Sequence, residues 1–336
     1  MRTIDESDVP PLLRLASGGQ FAKALAVAAR LGLADLTGDS PVPVAELARA
    51  TGTRPDVLGE LLRTLAFVGV FEPGPADHFR LAAAFAPLRA DHPHSLRNFC
   101  VLQAGLYTDA FNGLQATVAT GSSGFREVFG TELYPYLAAH PGTEGLFDAA
   151  MAELCRPTAA ALAAGYDFRG VRDVVDVGGG DGTLLAALLA AQPALRGVCV
   201  DRPSVCRRAA GAHHPAADRL TFRPADIFDE LPVTGDRFLL KNVLHDWSAA
   251  SQSRLLASVR AALVRTAGAR LLVLEPLFDQ EHGPAHALAQ RVVCADGARP
   301  FLADELRGVL AGAGLPVLDS RQLACGHHLF ECAPSD

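Results

Sequence analysis

Lysine is almost missing from this chain of 336 residues: only Lys23 and Lys241 occur, and arginine supplies the other positive charge. With the heavy use of alanine, that points to a high-GC genome. Net charge is −7 and the sequence pI is near 5.9. The excess of positive charge that nonspecific nucleic-acid binding needs is therefore lacking, although a local basic patch stays open. No apolar run approaches the roughly 20 residues of a membrane span. The start, Met1-Arg2-Thr3-Ile4-Asp5-Glu6-Ser7-Asp8, lacks the apolar centre of a signal peptide. The expected location is the cytoplasm, with no membrane partner. The seven cysteines show no C-x-x-C spacing, and several sit in apolar strand-like runs where cysteine acts as a small hydrophobe. Neither a disulfide framework nor a metal site is expected. No repeat or low-complexity segment is found. What remains, 49% hydrophobic and 20% charged residues, is the make-up of a globular protein with room for two domains.

The most informative stretch is Val174-Val175-Asp176-Val177-Gly178-Gly179-Gly180-Asp181-Gly182-Thr183-Leu184-Leu185. It reads as a strand buried on both faces, a glycine turn and the start of a helix. Glycines let a ligand approach the backbone, and the helix N-terminus favours a carboxylate or hydroxyl. The dinucleotide fingerprint G-x-G-x-x-G would need glycines spaced differently. Asp201 ends the next apolar strand, about 20 residues on, where a carboxylate can accept both ribose hydroxyls. The site reads as one for a nucleoside, and its spacing favours S-adenosylmethionine over NAD.

The chain falls into three expected segments. Residues 1–95 hold a helical region at 11–36, a short helix from Val44, a helix Asp56 to Phe67 with Thr53 as N-cap, and a hairpin at 69–81. Two helices and a hairpin describe a winged helix. Its second helix carries mixed charge (Arg54, Asp56, Glu60, Arg63), which favours packing or dimerisation over DNA binding. Residues 96–165 are helical and aromatic-rich, a linker and substrate-pocket segment. Phe147 and Met151 are its candidate acceptor contacts, since ligand pockets are apolar and aromatic. In 166–336, strands at 173–177, 197–201, 220–224, 237–241 and 270–275 alternate with helices, the pattern of a doubly wound parallel sheet. Runs at 315–318 and 328–332 close it.

Three strand ends carry candidate chemistry. Asp226, after the third strand, reads as a partner for an adenine amino group, with Ile227 and Phe228 against the ring. A loop carboxylate or helix cap is the plainer alternative. The fourth strand leads into Lys241-Asn242-Val243-Leu244-His245-Asp246-Trp247, with the only tryptophan. A histidine there, with an ordinary pKa of about 6.5, suits a general base; Asp246 is the alternative base. Glu275 ends the fifth strand. A carboxylate in so apolar a run needs a partner, and His245 or nearby backbone would serve.

In order and spacing, the Asp176–Gly182 turn, Asp201, Asp226, Lys241, the Leu244–Trp247 run and Glu275 resemble the S-adenosylmethionine-dependent, metal-independent O-methyltransferases of the plant caffeic-acid and bacterial antibiotic-tailoring type. The likeness covers nearly the whole chain. It implies a Rossmann-like methyltransferase domain behind a mostly helical winged-helix dimerisation domain, and hence a homodimer. It implies that S-adenosylmethionine contacts Gly178, Asp201, Asp226, Ile227 and Lys241, with Trp247 near the adenine; Asp176, Gly180 and Arg202 complete the expected cofactor set. His245 becomes the general base and Glu275 one of two flanking acids. Asn242 and Arg291 join the expected acceptor set.

Two departures stand out. The family's G-G-x-E-R-T has its second acid where Pro300 stands here, leaving Glu275 alone, or Asp296, to position the base. Arg291 stands where the family is apolar, and is either a contact for an acidic acceptor or a surface ion pair. The leading expectation is methylation of a hydroxyl on an aromatic or polyketide-type natural product. The alternatives are a relative that keeps the cofactor for hydroxylation, decarboxylation or pericyclic chemistry, motivated by Pro300, and a winged-helix DNA-binding regulator.

Overall fold

The structure is a computed structural model that describes residues 10–37, 40–212, 216–278 and 284–335. It divides into two compact units, Met1–Asp109 and Ala110–Asp336, so the 96–165 segment contributes to both.

In the first unit, a helix Pro11–Arg30 is followed by helices Val44–Thr51 and Pro55–Phe67. Leu47, Leu58, Leu62 and Leu65 recur at helical spacing and bury against Phe71 and Phe79. The wing has three strands, β1 (Val42–Pro43), β2 (Phe71–Pro73) and β3 (His78–Leu81), in the order β1-β3-β2. The hairpin was legible. The two-residue β1, too short for an alternating pattern, was not. Thr53 is not the N-cap: Arg54 holds that place without a side-chain cap, Pro55 takes the first helical position, and the Thr53 hydroxyl lies 2.9 Å from that of Thr51. Arg54 pairs with Asp56 and Arg63 with Asp77, so the helix offers little free positive charge. Leu12, Leu13 and Leu15 of the first helix are 76%, 56% and 81% exposed, an apolar edge uncovered in the single chain.

The second unit holds a seven-stranded sheet: β4 (Asp173–Val177), β5 (Arg196–Asp201), β6 (Leu220–Pro224), β7 (Arg237–Lys241), β8 (Arg270–Glu275), β9 (Val317–Gln322) and β10 (His328–Cys332). The order is β6-β5-β4-β7-β8-β10-β9, parallel from β6 to β8, with β10 antiparallel to both its neighbours. β9 runs later than the expected 315–318, because Leu315 buries ahead of the strand. Alternate residues feed two cores. Val175, Val177, Phe238, Leu240, Leu271 and Val273 meet helices Ala249–Leu263 and Ala303–Gly312. Val174, Leu239, Leu272 and Leu274 meet helices Thr183–Ala191 and Pro141–Gly165. Burial on both faces is why these strands read as unbroken apolar runs. After β6 the chain returns to the other side of β4, so the order reverses between β4 and β7. Ligands of open α/β sheets bind outside the strand ends at such a point. No helix among the described residues is long and apolar enough to cross a membrane.

Candidate active site

The turn after β4 is shaped by what a side chain would strike. Gly178 and Gly180 take φ of 74° and 61°, in the left-handed region. A Cβ on Gly179 would lie 2.7 Å from both Asp176 Oδ2 and Cys199 Sγ. The bare turn leaves room above it for a ligand. Asp201, at the end of β5, accepts hydrogen bonds from Gly180 N at 2.8 Å and Arg202 N at 2.7 Å, which fixes its carboxylate beside the turn. Asp176 is buried beneath. Burial, aided by the charge of Asp201 and opposed by that of Lys241, pushes its carboxyl up to about 7. Burial likewise raises Asp201. A cationic ligand nearby would favour the charged form of both.

Arg202 Nη1 lies 2.6 Å from Oε1 of Glu144, an ion pair by distance rather than an aligned hydrogen bond. Glu144, 1% exposed, also takes Arg208 Nη1 at 2.6 Å and the Ser204 hydroxyl at 2.9 Å. Sequence reasoning missed this buried acid, because its partners lie about sixty residues away. The Arg202 guanidinium sits 5.4 Å from the Tyr134 ring centroid. Tyr134 stacks on Trp247 at 5.0 Å and meets the Phe147 edge at 6.1 Å. Phe228 meets Trp247 edge-on at 4.8 Å. Trp247 Nε1 is buried without a protein partner. Asp226 is exposed and accepts from Phe228 N at 3.0 Å, while Ile227 packs half-buried on the core.

The sharpest geometry lies past β7 and β8. Glu275, wholly buried, accepts from Leu244 N at 3.0 Å through Oε1, and its Oε2 accepts from His245 Nδ1. On the other side of the ring, His245 Nε2 is 3.3 Å from Asp246 Oδ1. Asp246 also accepts from the Tyr134 hydroxyl at 2.5 Å and from the Cys294 thiol at 3.1 Å. Burial opposes charge on His245, but Glu275 and Asp246 outweigh it and lift the imidazole to about 10. Asp246 is held below the ordinary carboxylate range, since His245, Tyr134 and Cys294 together outweigh its burial. The second carboxylate beside His245 is thus Asp246. Asp296, the expected substitute for the acid replaced by Pro300, instead takes Ser123 N at 2.7 Å and Arg126 Nη1 at 2.5 Å. Pro300 is buried beside Phe301, which bridges to Leu277.

Asn242 has φ 55°, and its Oδ1 accepts from His327 Nε2 at 2.9 Å. Lys241 is half-buried at the end of β7, close enough for its charge to act on Asp176 and His327. Met151 lies one turn beyond Phe147 and is half-buried. Arg291 is exposed, and nothing around it supports the acceptor contact expected of it. His286, which the sequence did not single out, faces His245 ring-to-edge at 6.2 Å.

A reversing parallel sheet, a bare glycine turn with a carboxylate tethered beside it and a histidine between two acids at the same strand ends describe a nucleoside-type binding site with a proton-handling group at its edge. The particular family follows from comparison. Residues 111–315 match the O-methyltransferase domain and 13–84 the O-methyltransferase dimerisation domain. The chain is 38% identical over 312 residues to O-demethylpuromycin-O-methyltransferase of Streptomyces alboniger, covering 90% of this chain and 82% of that one. It is 33% identical over 327 residues to the phenazine O-methyltransferase PhzM of Lysobacter antibioticus, covering 96% and 95%. The crystal structure of NcsB1, an O-methyltransferase from neocarzinostatin biosynthesis in complex with S-adenosylmethionine and 2-hydroxy-5-methyl naphthoic acid, superposes with a TM-score of 0.81 at 28% identity, covering 97% and 99%. This chain belongs to the O-methyltransferase family, whose cofactor is S-adenosylmethionine. The residues present fit that cofactor: a side-chain-free cradle, a carboxylate tethered beside it, and buried acids that gain from a cation.

Proposed function

We propose that this enzyme methylates a hydroxyl on an aromatic natural product, with His245 as the group that takes the hydroxyl proton. The observation that carries the reading is the line Glu275–His245–Asp246 beside the glycine cradle. S-adenosylmethionine, when bound, supplies a methyl group on a sulfonium, an electrophile that needs alignment more than activation. The Asp176, Gly178, Gly180 and Asp201 turn, with Arg202, Asp226, Ile227, Lys241 and Trp247 around it, would hold the cofactor. Phe147, Met151, Tyr134 and Asn242 would line the acceptor side. The stacked aromatics support a flat acceptor, in keeping with the phenazine and naphthoic acid named for the relatives.

The base is restrained until the acceptor arrives. With carboxylates at both ring nitrogens, the imidazole is protonated at neutral pH. An acceptor hydroxyl at Nε2 displaces Asp246, which retains two other donors in Tyr134 and Cys294. Losing that carboxylate lowers the proton affinity of the ring. Acceptor binding therefore releases one proton to solvent, and phenolate on imidazolium or phenol on imidazole is then the same protonation state. Glu275 keeps the ring oriented throughout. The dimerisation domain and the exposed leucines of the first helix support a homodimer.

The test is His245→Ala. Turnover falls about 10²–10⁴-fold while S-adenosylhomocysteine binds as to wild type. Turnover within threefold of wild type would remove His245 from the proton transfer.

A further inference from the structure

Gln290 is 4% exposed, and neither Oε1 nor Nε2 has a hydrogen-bond partner. A buried amide without partners is destabilising, and such groups are uncommon unless a ligand or water meets them. Its position in the helix Pro284–Val293 says which. Four residues earlier, His286 faces the His245 ring at 6.2 Å. Four residues later, Cys294 donates its thiol to Asp246 at 3.1 Å, and Cys294 N still bonds Gln290 O at 2.9 Å as in a helix. Residues four apart share a helix face. Gln290 therefore lies between two residues of one helix face, of which one faces the His245 ring and the other bonds Asp246. The opposite side is occupied otherwise: Val292 O accepts from the Ser123 hydroxyl at 3.1 Å, and Arg291 is exposed.

We propose that Gln290 is a specificity-determining residue, whose amide hydrogen-bonds a carbonyl or hydroxyl oxygen that the acceptor carries beside the hydroxyl to be methylated. This rests on the methyl-transfer reading above and narrows its substrate class to oxygenated phenols with two adjacent polar groups. The amide offers a donor and an acceptor, so it pairs with a carbonyl, a hydroxyl or both. A site built to hydrogen-bond a substrate group discriminates against analogues lacking it, because its own polar atoms are then left unpaired.

The test compares wild type with Gln290→Met, of similar length and no hydrogen bonding, on naphthol and its ortho-acetyl derivative. The variant is expected to lose about tenfold or more in kcat/KM for the acetyl compound, change less than threefold for naphthol, and bind S-adenosylhomocysteine normally. Equal losses on both compounds, or no loss on either, would overturn the proposal. Gln290→Glu, which keeps an acceptor but not the N–H donor, is expected to remain weak on the acetyl compound. An independent readout needs no turnover. In the acceptor-free protein Gln290→Met is expected to hold or raise Tm, whereas a drop of several degrees would show that the amide is structural. Failure of the methyl-transfer reading looks different: wild type then binds naphthols, seen by quenching of the lone Trp247, without consuming S-adenosylmethionine.

Discussion

Replacing Asp246 by Asn tests the restraint on the base directly. Two carboxylates lift the His245 imidazole from its ordinary 6.5 to about 10 despite burial. That is a more than thousandfold gain in proton affinity. Glu275 faces one nitrogen and Asp246 the other. Asp246→Asn removes one of the two charges that hold the proton against burial, so the midpoint falls well below the wild-type value. The amide is nearly isosteric and can still accept from the Tyr134 hydroxyl, so the fold is kept. The assay is NMR titration of ring-labelled histidine in the cofactor-free protein, with the His245 signal assigned by its loss in His245→Gln. Wild-type His245 is expected to stay protonated through pH 8 and the variant to lose its proton at clearly lower pH. The acid limb of kcat/KM moves to lower pH in parallel. A wild-type midpoint near 6.5, or one that Asp246→Asn leaves in place, would refute the displacement step. The same shift has a stability consequence. A group whose folded pKa is raised stabilises the fold fully below its unfolded value. The His245 contribution is therefore present below about pH 6.5 and fades as pH climbs toward 10.

Three further outcomes follow. Asp176→Asn should raise Tm in the cofactor-free protein, because a carboxyl pushed up to about 7 opposes folding once ionised; the gain over wild type grows as pH rises from about 4 to 7, and a flat difference in a Tm series across pH would exclude it. Asp201→Ala should weaken S-adenosylhomocysteine at least tenfold in a calorimetric titration, with loss of the contacts to Gly180 N and a ribose-facing carboxylate; unchanged affinity would place the nucleoside elsewhere. Replacing both Leu13 and Leu15 by Asp should convert a dimer to monomer in analytical ultracentrifugation without unfolding the chain, since both side chains are over half exposed; a variant that stays dimeric would move the interface off this helix.

The sequence was most readable where one physical cause sets the pattern. Strands buried on both faces wrote themselves as apolar runs, and β4 to β8 match expectation within a residue or so. The glycine turn, Asp201 and the pairing of Glu275 with His245 were legible because each breaks an apolar run at a strand end. The second carboxylate at the base was not. Asp246 was named as an alternative base, while its place opposite Glu275 depends on Tyr134 and Cys294, 112 and 48 residues away. Nothing local encodes such distances. Gln290 is hidden in the sequence for a similar reason: one position is a hundred degrees of helix, so burial falls on Gln290 and exposure on its charged neighbour Arg291.

The three donors on Asp246 come from three separate parts of the unit: the helix Leu133–Ala139, the loop after β7, and the residue ending Pro284–Val293. One carboxylate thus serves as a common fastening for two segments of the chamber wall. Pulling it from the imidazole changes the load on both fastenings at once. How firmly those two segments are held is thus set at a single carboxylate, by a tyrosine and a cysteine far apart in the chain.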